Sequence, residues 1–194
     1  MPTEINTHEQ SFLVERWDGF GFDLRTSVRY HQRRMMFFDR WNSVTNAVVL
    51  FSGSSAVINL LTESFSQKVA IIVFGGIVSI FALLDLVVGT ARMARTHEIL
   101  YRQYIDLECQ WTAIHAPTMD ELLKLQSDKL RLEQGEPPPL ITLSELCWND
   151  TARSMGRDWR IVGITRMQKL FANLWSFEDP SHQRKHLQGP ASVS

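Results

Sequence analysis

Two apolar stretches decide the fold, VTNAVVLFSGSSAVINLL at residues 44–61 and VAIIVFGGIVSIFALLDLVVGT at residues 69–90. Asp85 is the only residue with a formal charge in either stretch. A helix of about 20 predominantly apolar residues crosses the hydrocarbon core of a bilayer. The sequence therefore predicts an all-α membrane protein with a two-transmembrane helical hairpin, its spans at residues 42–61 and 69–90. The alternative is a soluble helical protein that buries both stretches in its core.

Basic residues on one side of the two stretches indicate their orientation. They lie before the first span and after the second, at Arg33, Arg34, Arg40, Arg92 and Arg95. The connector, residues 62–68, carries only Glu63 and Lys68. Because basic flanks favour the cytoplasmic side, we expect both termini in the cytoplasm and lipid phosphates as partners of the arginines. The net charge of −1 offers no broad surface for nucleic acid.

The hydrophobic register predicts that the first helix starts well before the membrane. Counted from Leu24 in alternating steps of four and three, the register positions are mostly apolar as far as Phe38 and mostly small or polar beyond it. Helices pair through apolar positions in water and through small residues and shared hydrogen bonds in lipid. We therefore expect one helix from about Phe22 to Leu61, after a partly disordered N-terminal segment, residues 1–21.

The second helix is expected to continue past its span in the same way. No Pro or Gly interrupts residues 90–116, so nothing in the sequence ends the helix there. The two long helices would pair antiparallel and form one extended hairpin over residues 22–116.

A cytoplasmic helical region is expected at residues 117–178, followed by a disordered tail at residues 179–194. Thr118 with Glu121, and Thr142 with Glu145, have the spacing of capping boxes at helix starts. The expected helices are at residues 118–133, 143–155 and 164–177. The last has an apolar side, and it either lies in the membrane interface or packs on the long helices.

Polar residues inside the predicted spans are the candidate functional residues, namely Asp85, Asn46, Thr45, Ser52 and Asn59. A carboxylate inside a membrane costs roughly 3 kcal/mol on insertion scales and normally faces protein or water. Asp85 is interpreted either as a pore-lining or gating charge, or as a carboxyl bonded to Asn46 or Thr45 that fixes the hairpin. Small residues expected to pack the helices follow one stripe of the second span, at Gly75, Ser79, Ala82 and Gly89.

No catalytic, cofactor-binding or metal-binding residue is predicted. The chain has no Gly-rich phosphate loop, no His-Glu-x-x-His motif and no nucleophile elbow. Cys109 and Cys147 show neither a pairing pattern nor metal-ligand spacing, so we expect reduced thiols. His31 and His97 lie at interior positions of the helical register without further ligands, and we expect interface histidines rather than metal ligands.

The run RYHQRRMMFFDR at residues 29–40 is followed directly by the hairpin, a long charged helix and a small helical tail. This layout, over about residues 20–115, resembles the SLATT superfamily of bacterial two-transmembrane proteins, which associate with nucleotide-signalling and sensor domains in conflict systems. The segment LSELCWND at residues 143–150 is similar to one in bacterial and phage membrane proteins of the same layout. The resemblance implies a pore-forming or membrane-perturbing effector that acts after an upstream sensor. The chain has no recognisable sensor domain, so any sensor would be a separate protein.

The sequence thus favours a non-enzymatic protein of the bacterial inner membrane that forms a homo-oligomer through its hairpin and alters membrane permeability. A second hypothesis is a membrane-anchored scaffold whose cytoplasmic helices bind a partner protein. A third is a small transporter subunit that uses Asp85 as a proton site.

Overall fold

The structure, a computed structural model, describes residues 3–53 and 65–176. These residues form helices and connecting turns without any strand, which confirms the all-α prediction for them. The helices are α1 (Thr3–Gly53), α2 (Phe65–Val88), α3 (Thr90–Ala113), α4 (Met119–Glu133), α5 (Ile141–Ser154) and α6 (Arg166–Phe171). A 3₁₀ turn, Asp158–Arg160, lies between α5 and α6.

The chain divides into two compact units. The central unit comprises residues 31–103, with the later part of α1, α2 and the start of α3. The terminal unit comprises the chain before and after it, with the first part of α1, the end of α3 and the three shorter helices.

Helix α1 begins at Thr3, well before the predicted start at Phe22, so residues 3–21 are helical rather than partly disordered. The physical reason is the packing around Gly21 in the terminal unit. A Cβ atom there would lie 2.3 Å from the ring of Trp111, so the missing side chain lets this indole approach the helix. Trp111 also stacks on Trp17, with ring centroids 5.9 Å apart, and donates a hydrogen bond to the carbonyl of Trp17.

Contacts between α1 and α3 occur in both units, and those of the terminal unit show the two helices running antiparallel there, as the register predicts. In the central unit His31 lies against His97. In the terminal unit Arg25 bonds Glu108 at 2.9 Å, while Trp17, earlier in the chain, meets the later Trp111.

The second long helix is not continuous. Gly89, with φ of +62°, separates α2 from α3. This left-handed conformation suits glycine because it has no Cβ, and the backbone remains hydrogen-bonded on both sides: Gly89 donates to Asp85, and Met93 donates to Gly89. The expectation of an unbroken helix from the second span to Ala116 is therefore corrected.

Among the described residues, no single helix is both long enough and apolar enough to cross a membrane. The segments Gly75–Val87 and Thr90–Ala113, bent by 41°, meet the length and composition requirement only as a pair. The predicted first span, residues 42–61, continues beyond Gly53 into residues that lie outside the described part. The connector up to residue 64 and the predicted tail, residues 179–194, also lie outside it.

The first predicted capping box, Thr118 with Glu121, is confirmed at the start of α4. The second is corrected, because α5 begins at Ile141 after Leu140, which makes no side-chain cap, and Thr142 is buried in the first turn. Helix α5 ends at Ser154, and the following Gly156 has φ of +68°.

The last helix is shorter than the predicted 164–177, because α6 covers only Arg166–Phe171 before a turn. It starts with a capping box formed by Thr165 and Gln168. In the terminal unit Ala172, just after α6, joins a small buried cluster with Tyr30, Leu143 and Cys147.

Candidate functional site

The predicted spans expose apolar side chains throughout the described residues of the central unit. The exposed side chains are those of Val44, Val49, Leu50, Phe51, Val73, Ile77, Ile80, Leu83, Leu84, Leu86 and Val87. Leu86 and Val87 have exposed fractions of 78% and 80%. Within the described residues, the chain itself does not bury these side chains. Exposed apolar surface of this extent marks contact with lipid or with another protein.

Asp85 lies on α2, one turn before the bend at Gly89, and is partly buried. Its carboxylate accepts a hydrogen bond from the hydroxyl of Thr90, which lies on the other side of the bend. Within the described residues no hydrogen bond joins it to Asn46 or Thr45. The expectation that Asp85 fixes the hairpin through one of these two residues is therefore corrected. Its hydrogen-bond partner, Thr90, lies on the same arm of the hairpin, at the start of α3.

The predicted polar residues of the first span are not gathered into one path by the described structure. Asn46 is exposed, whereas Thr45 is buried and its hydroxyl has no hydrogen-bond partner among the described residues. Ser52 lies in the last turn of α1, and Asn59 lies outside the described residues.

The small residues of α2 are exposed rather than packed against α1. The Ser79 hydroxyl donates to the carbonyl of Gly75 at 2.8 Å, and Ala82 is exposed. A Cβ added to Gly75 would meet no described atom within 4 Å. Gly89 forms the bend instead of packing helices, so the predicted packing stripe has no partner within the described part of the chain.

The basic residues that flank the spans fall into two groups. Arg40 and Arg92 are exposed, and among the described residues neither forms an ion pair. Arg34 lies over the ring of Phe38 at 4.4 Å, and Arg33 is partly buried. Arg95 is ion-paired with Glu98 at 2.6 Å.

Glu98 accepts from two arginines, since Arg102 also bonds its carboxylate at 2.6 Å. The hydrogen bond from Arg95 is the main cause that holds the pKa of Glu98 below its usual value, although desolvation acts in the opposite direction. Arg95 is thus less available to lipid phosphates than Arg40 or Arg92.

His31 and His97 form a buried pair in the central unit. Their Nδ1 atoms are 3.0 Å apart, and the ring of Phe38 stacks on His97 with an interplanar angle of 11°. The prediction that both are interface histidines is confirmed by this contact. Their direct hydrogen bond, which is possible only with one proton between the two nitrogens, is a feature that the register alone did not indicate. Among the described residues, no three His, Cys, Asp or Glu side chains gather to hold a metal ion.

The terminal unit contains an open groove of about 390 Å³ between α1 and α4, lined by side chains of both signs. Asp23 lies there beside Lys129, which is ion-paired with Glu133 at 2.5 Å. Desolvation raises the pKa of Asp23 above its usual value, opposed by the positive charges of Lys129 and Arg160. Desolvation likewise raises the pKa of Tyr104, whose hydroxyl donates to Glu136.

Comparison with known protein families, with curated proteins and with solved structures finds no match to this chain.

Proposed function

We propose that this chain is a non-enzymatic protein of the bacterial inner membrane that crosses the bilayer twice, with both termini in the cytoplasm. The observation that carries the proposal is the exposed apolar surface of α2 and the end of α1. An apolar helix surface of this kind, on which Asp85 is only partly exposed, is stable in lipid and costly in water. The exposed Arg40 and Arg92, placed at the same boundary by the orientation predicted from the sequence, support contact with lipid phosphates.

The proposed role is that of a pore-forming or membrane-perturbing effector of the SLATT type, in a bacterial defence system with a separate sensor protein. Two helices cannot enclose a channel, so this role requires a homo-oligomer. The exposed stripe of Gly75, Ser79 and Ala82 supports such an assembly, since small residues let helix backbones approach closely in lipid.

Asp85 is proposed to act in this assembly at the bend of the second span. Its bond to Thr90 joins the two sides of the bend at Gly89. A partly exposed carboxylate at such a position places a negative charge beside any aqueous path that the oligomer encloses. The same group is the proton site in the third hypothesis, a small transporter subunit.

A membrane-anchored scaffold is the second candidate function. The supporting observation is the terminal unit, where Phe22, Leu122 and Leu143 are almost completely buried. A folded unit of this kind is suited to bind a partner protein, and the spans would then serve only as an anchor.

Membrane potential and oligomer mass, measured together, test the proposal. Overexpressed wild-type chain should depolarise bacterial cells as a pore, whereas a scaffold leaves the potential intact. Asp85→Asn keeps an acceptor oxygen for Thr90 but removes the charge, so we expect normal assembly with altered depolarisation. Asp85→Leu removes the hydrogen bond as well, at about 0.5–1.5 kcal/mol, and should therefore weaken the bend at Gly89 and reduce assembly. Asp39→Asn, at an exposed position of α1 before the span, is the matched control.

An unchanged potential on overexpression of the wild-type chain would contradict the effector role and favour the scaffold. If Asp85→Asn and Asp85→Leu both behave like Asp39→Asn, the proposed role of Asp85 is wrong.

A further inference from the structure

The last described segment of the terminal unit carries apolar side chains that no described residue covers. Met167, Leu170, Leu174 and Trp175, here called the C-terminal apolar patch, are all exposed, with exposed fractions of 72% for Leu170 and 68% for Trp175. Met167 and Leu170, three residues apart, lie on one side of α6, and Leu174 and Trp175 follow at the end of the turn after it.

The opposite side of this segment is already used for packing. Ala172 is fully buried against Tyr30, Leu143 and Cys147. The hydroxyl of Ser176 accepts a hydrogen bond from the backbone of Ile141 at 3.2 Å, which also fixes the segment on α5. These contacts fix the orientation of the segment, so the patch stays on the surface of the terminal unit.

Basic residues accompany the patch. Arg166 and Lys169 lie on α6, are exposed, and form no ion pair within the described part of the chain. A short amphipathic segment with exposed apolar residues, a tryptophan and adjacent basic residues has the chemistry of a surface that lies in the headgroup region of an anionic bilayer.

Two other ways of covering the patch fit less well. A symmetric contact with a second copy of the chain through this patch would bring two sets of Arg166 and Lys169 close together, which is unfavourable. The chain's own tail, residues 177–194, contains only three large apolar residues, Phe177, Leu187 and Val193, against four in the patch.

We propose that the C-terminal apolar patch is a second membrane contact, which inserts into the headgroup region of bilayers rich in anionic phospholipid. This contact is separate from the hairpin and does not require the hairpin to cross the membrane. It would hold the terminal unit at the bilayer surface through apolar insertion, strengthened by the attraction of Arg166 and Lys169 to lipid phosphates.

A fluorescent probe on the patch tests this proposal in the full chain. Trp175→Cys is made in a Cys109→Ser background and labelled with an environment-sensitive dye, because Cys147 is buried and is protected from labelling. The matched control is Leu123→Cys in the same background, because Leu123 is an exposed apolar residue on α4 that lies outside the patch. Both labelled chains are combined with phosphatidylcholine vesicles, with or without phosphatidylglycerol, that contain lipid brominated near the headgroup end of the acyl chain.

We expect the brominated lipid to quench the probe at position 175 but not at position 123, and the quenching to increase with phosphatidylglycerol. The quenching gives the ratio of chains with the patch inserted in the bilayer to chains with the patch in water. Replacing Arg166 and Lys169 by Ser should reduce this ratio on anionic vesicles by about fivefold for each residue. Circular dichroism of each variant checks that its helices remain.

Equal quenching at positions 175 and 123 would overturn the proposal. A blue-shifted probe at position 175 that brominated lipid does not quench would also overturn it, because protein, such as a second copy, then covers the patch. The hairpin is judged separately, by whether alkaline carbonate releases the chain from the vesicles, so its failure is distinguishable from failure of the patch.

Discussion

The buried histidine pair of the central unit depends on a single proton. With Nδ1 atoms 3.0 Å apart, one ring must donate and the other accept. Both side chains are almost completely inaccessible to solvent, so removing one ring leaves a polar group of the other in an apolar environment.

We therefore predict strong coupling between these two residues. His31→Leu and His97→Leu should each lower the free energy of unfolding by about 1–3 kcal/mol. The double variant should lose less than the sum of the two, because neither nitrogen is then left without its partner. Thermal or chemical unfolding of the three variants in detergent measures the coupling, and strictly additive losses would argue against a direct bond.

Asp23 provides a prediction about pH at the groove of the terminal unit. Desolvation raises its pKa in the folded state, so the folded chain holds this proton more tightly than the unfolded chain. Its contribution to stability is present below the unfolded pKa and is lost as the pH rises through the folded pKa. Asp23→Asn cannot ionise, and the variant should be at least as stable as the wild type at neutral pH.

The difference in unfolding midpoint between Asp23→Asn and the wild type should shrink as the pH falls below the ordinary range of an aspartate. Midpoints measured across acid and neutral pH in one detergent provide the test. A wild-type chain that gains stability over the variant as the pH rises would show that attraction to Lys129 and Arg160 outweighs desolvation.

At the scale of the element, two glycines two residues apart in α1 should respond in opposite ways. A Cβ at Gly21 would overlap the ring of Trp111, whereas a Cβ at Gly19 would meet nothing within 4 Å. We expect Gly21→Ala to destabilise the chain by about 1–3 kcal/mol through overpacking. Gly19→Ala should stabilise it by about 0.5–1 kcal/mol through the helix propensity of alanine.

Unfolding midpoints of the two variants check this prediction, with Gly19→Ala as the control for Gly21→Ala. If both substitutions stabilise the chain equally, the close approach of Trp111 to α1 is wrong, and with it the reason for the early start of this helix.

The bend at Gly89 is a feature of the helices that the sequence alone did not predict. The register predicts an interior face on both sides of it, and the antiparallel pairing of α1 with α3 follows that register. A single glycine inside an otherwise helical pattern is compatible with either a straight or a bent helix. In this chain Gly89 adopts φ of +62° and the Thr90 hydroxyl bonds Asp85 across the bend, a local arrangement that hydropathy and register do not reveal.

Across the whole molecule, the sequence predicted correctly those features that depend on residues close together in the chain. The capping box of Thr118 and the interior positions of His31 and His97 in the helical register are examples. The cap expected at Thr142 is absent because tertiary packing buries that side chain. The expected bond from Asp85 to the first span is not formed within the described residues, because its carboxylate accepts from Thr90 instead.

The apolar surface of the predicted hairpin is the main support for the proposed membrane topology. Hydropathy located it, and the described structure leaves it exposed. The orientation follows from the arginines that flank the spans, with five of them named above on the proposed cytoplasmic side.

Reporter fusions in bacteria test whether the hairpin crosses the membrane twice with both termini in the cytoplasm. A reporter that is active only in the periplasm is fused at the N-terminus, at the C-terminus, or inserted at Ser66, with membrane and soluble fractions separated for each. We predict that Ser66 alone scores as periplasmic and that every fusion remains in the membrane fraction. A cytoplasmic signal from Ser66, or recovery of the chain in the soluble fraction, would contradict it.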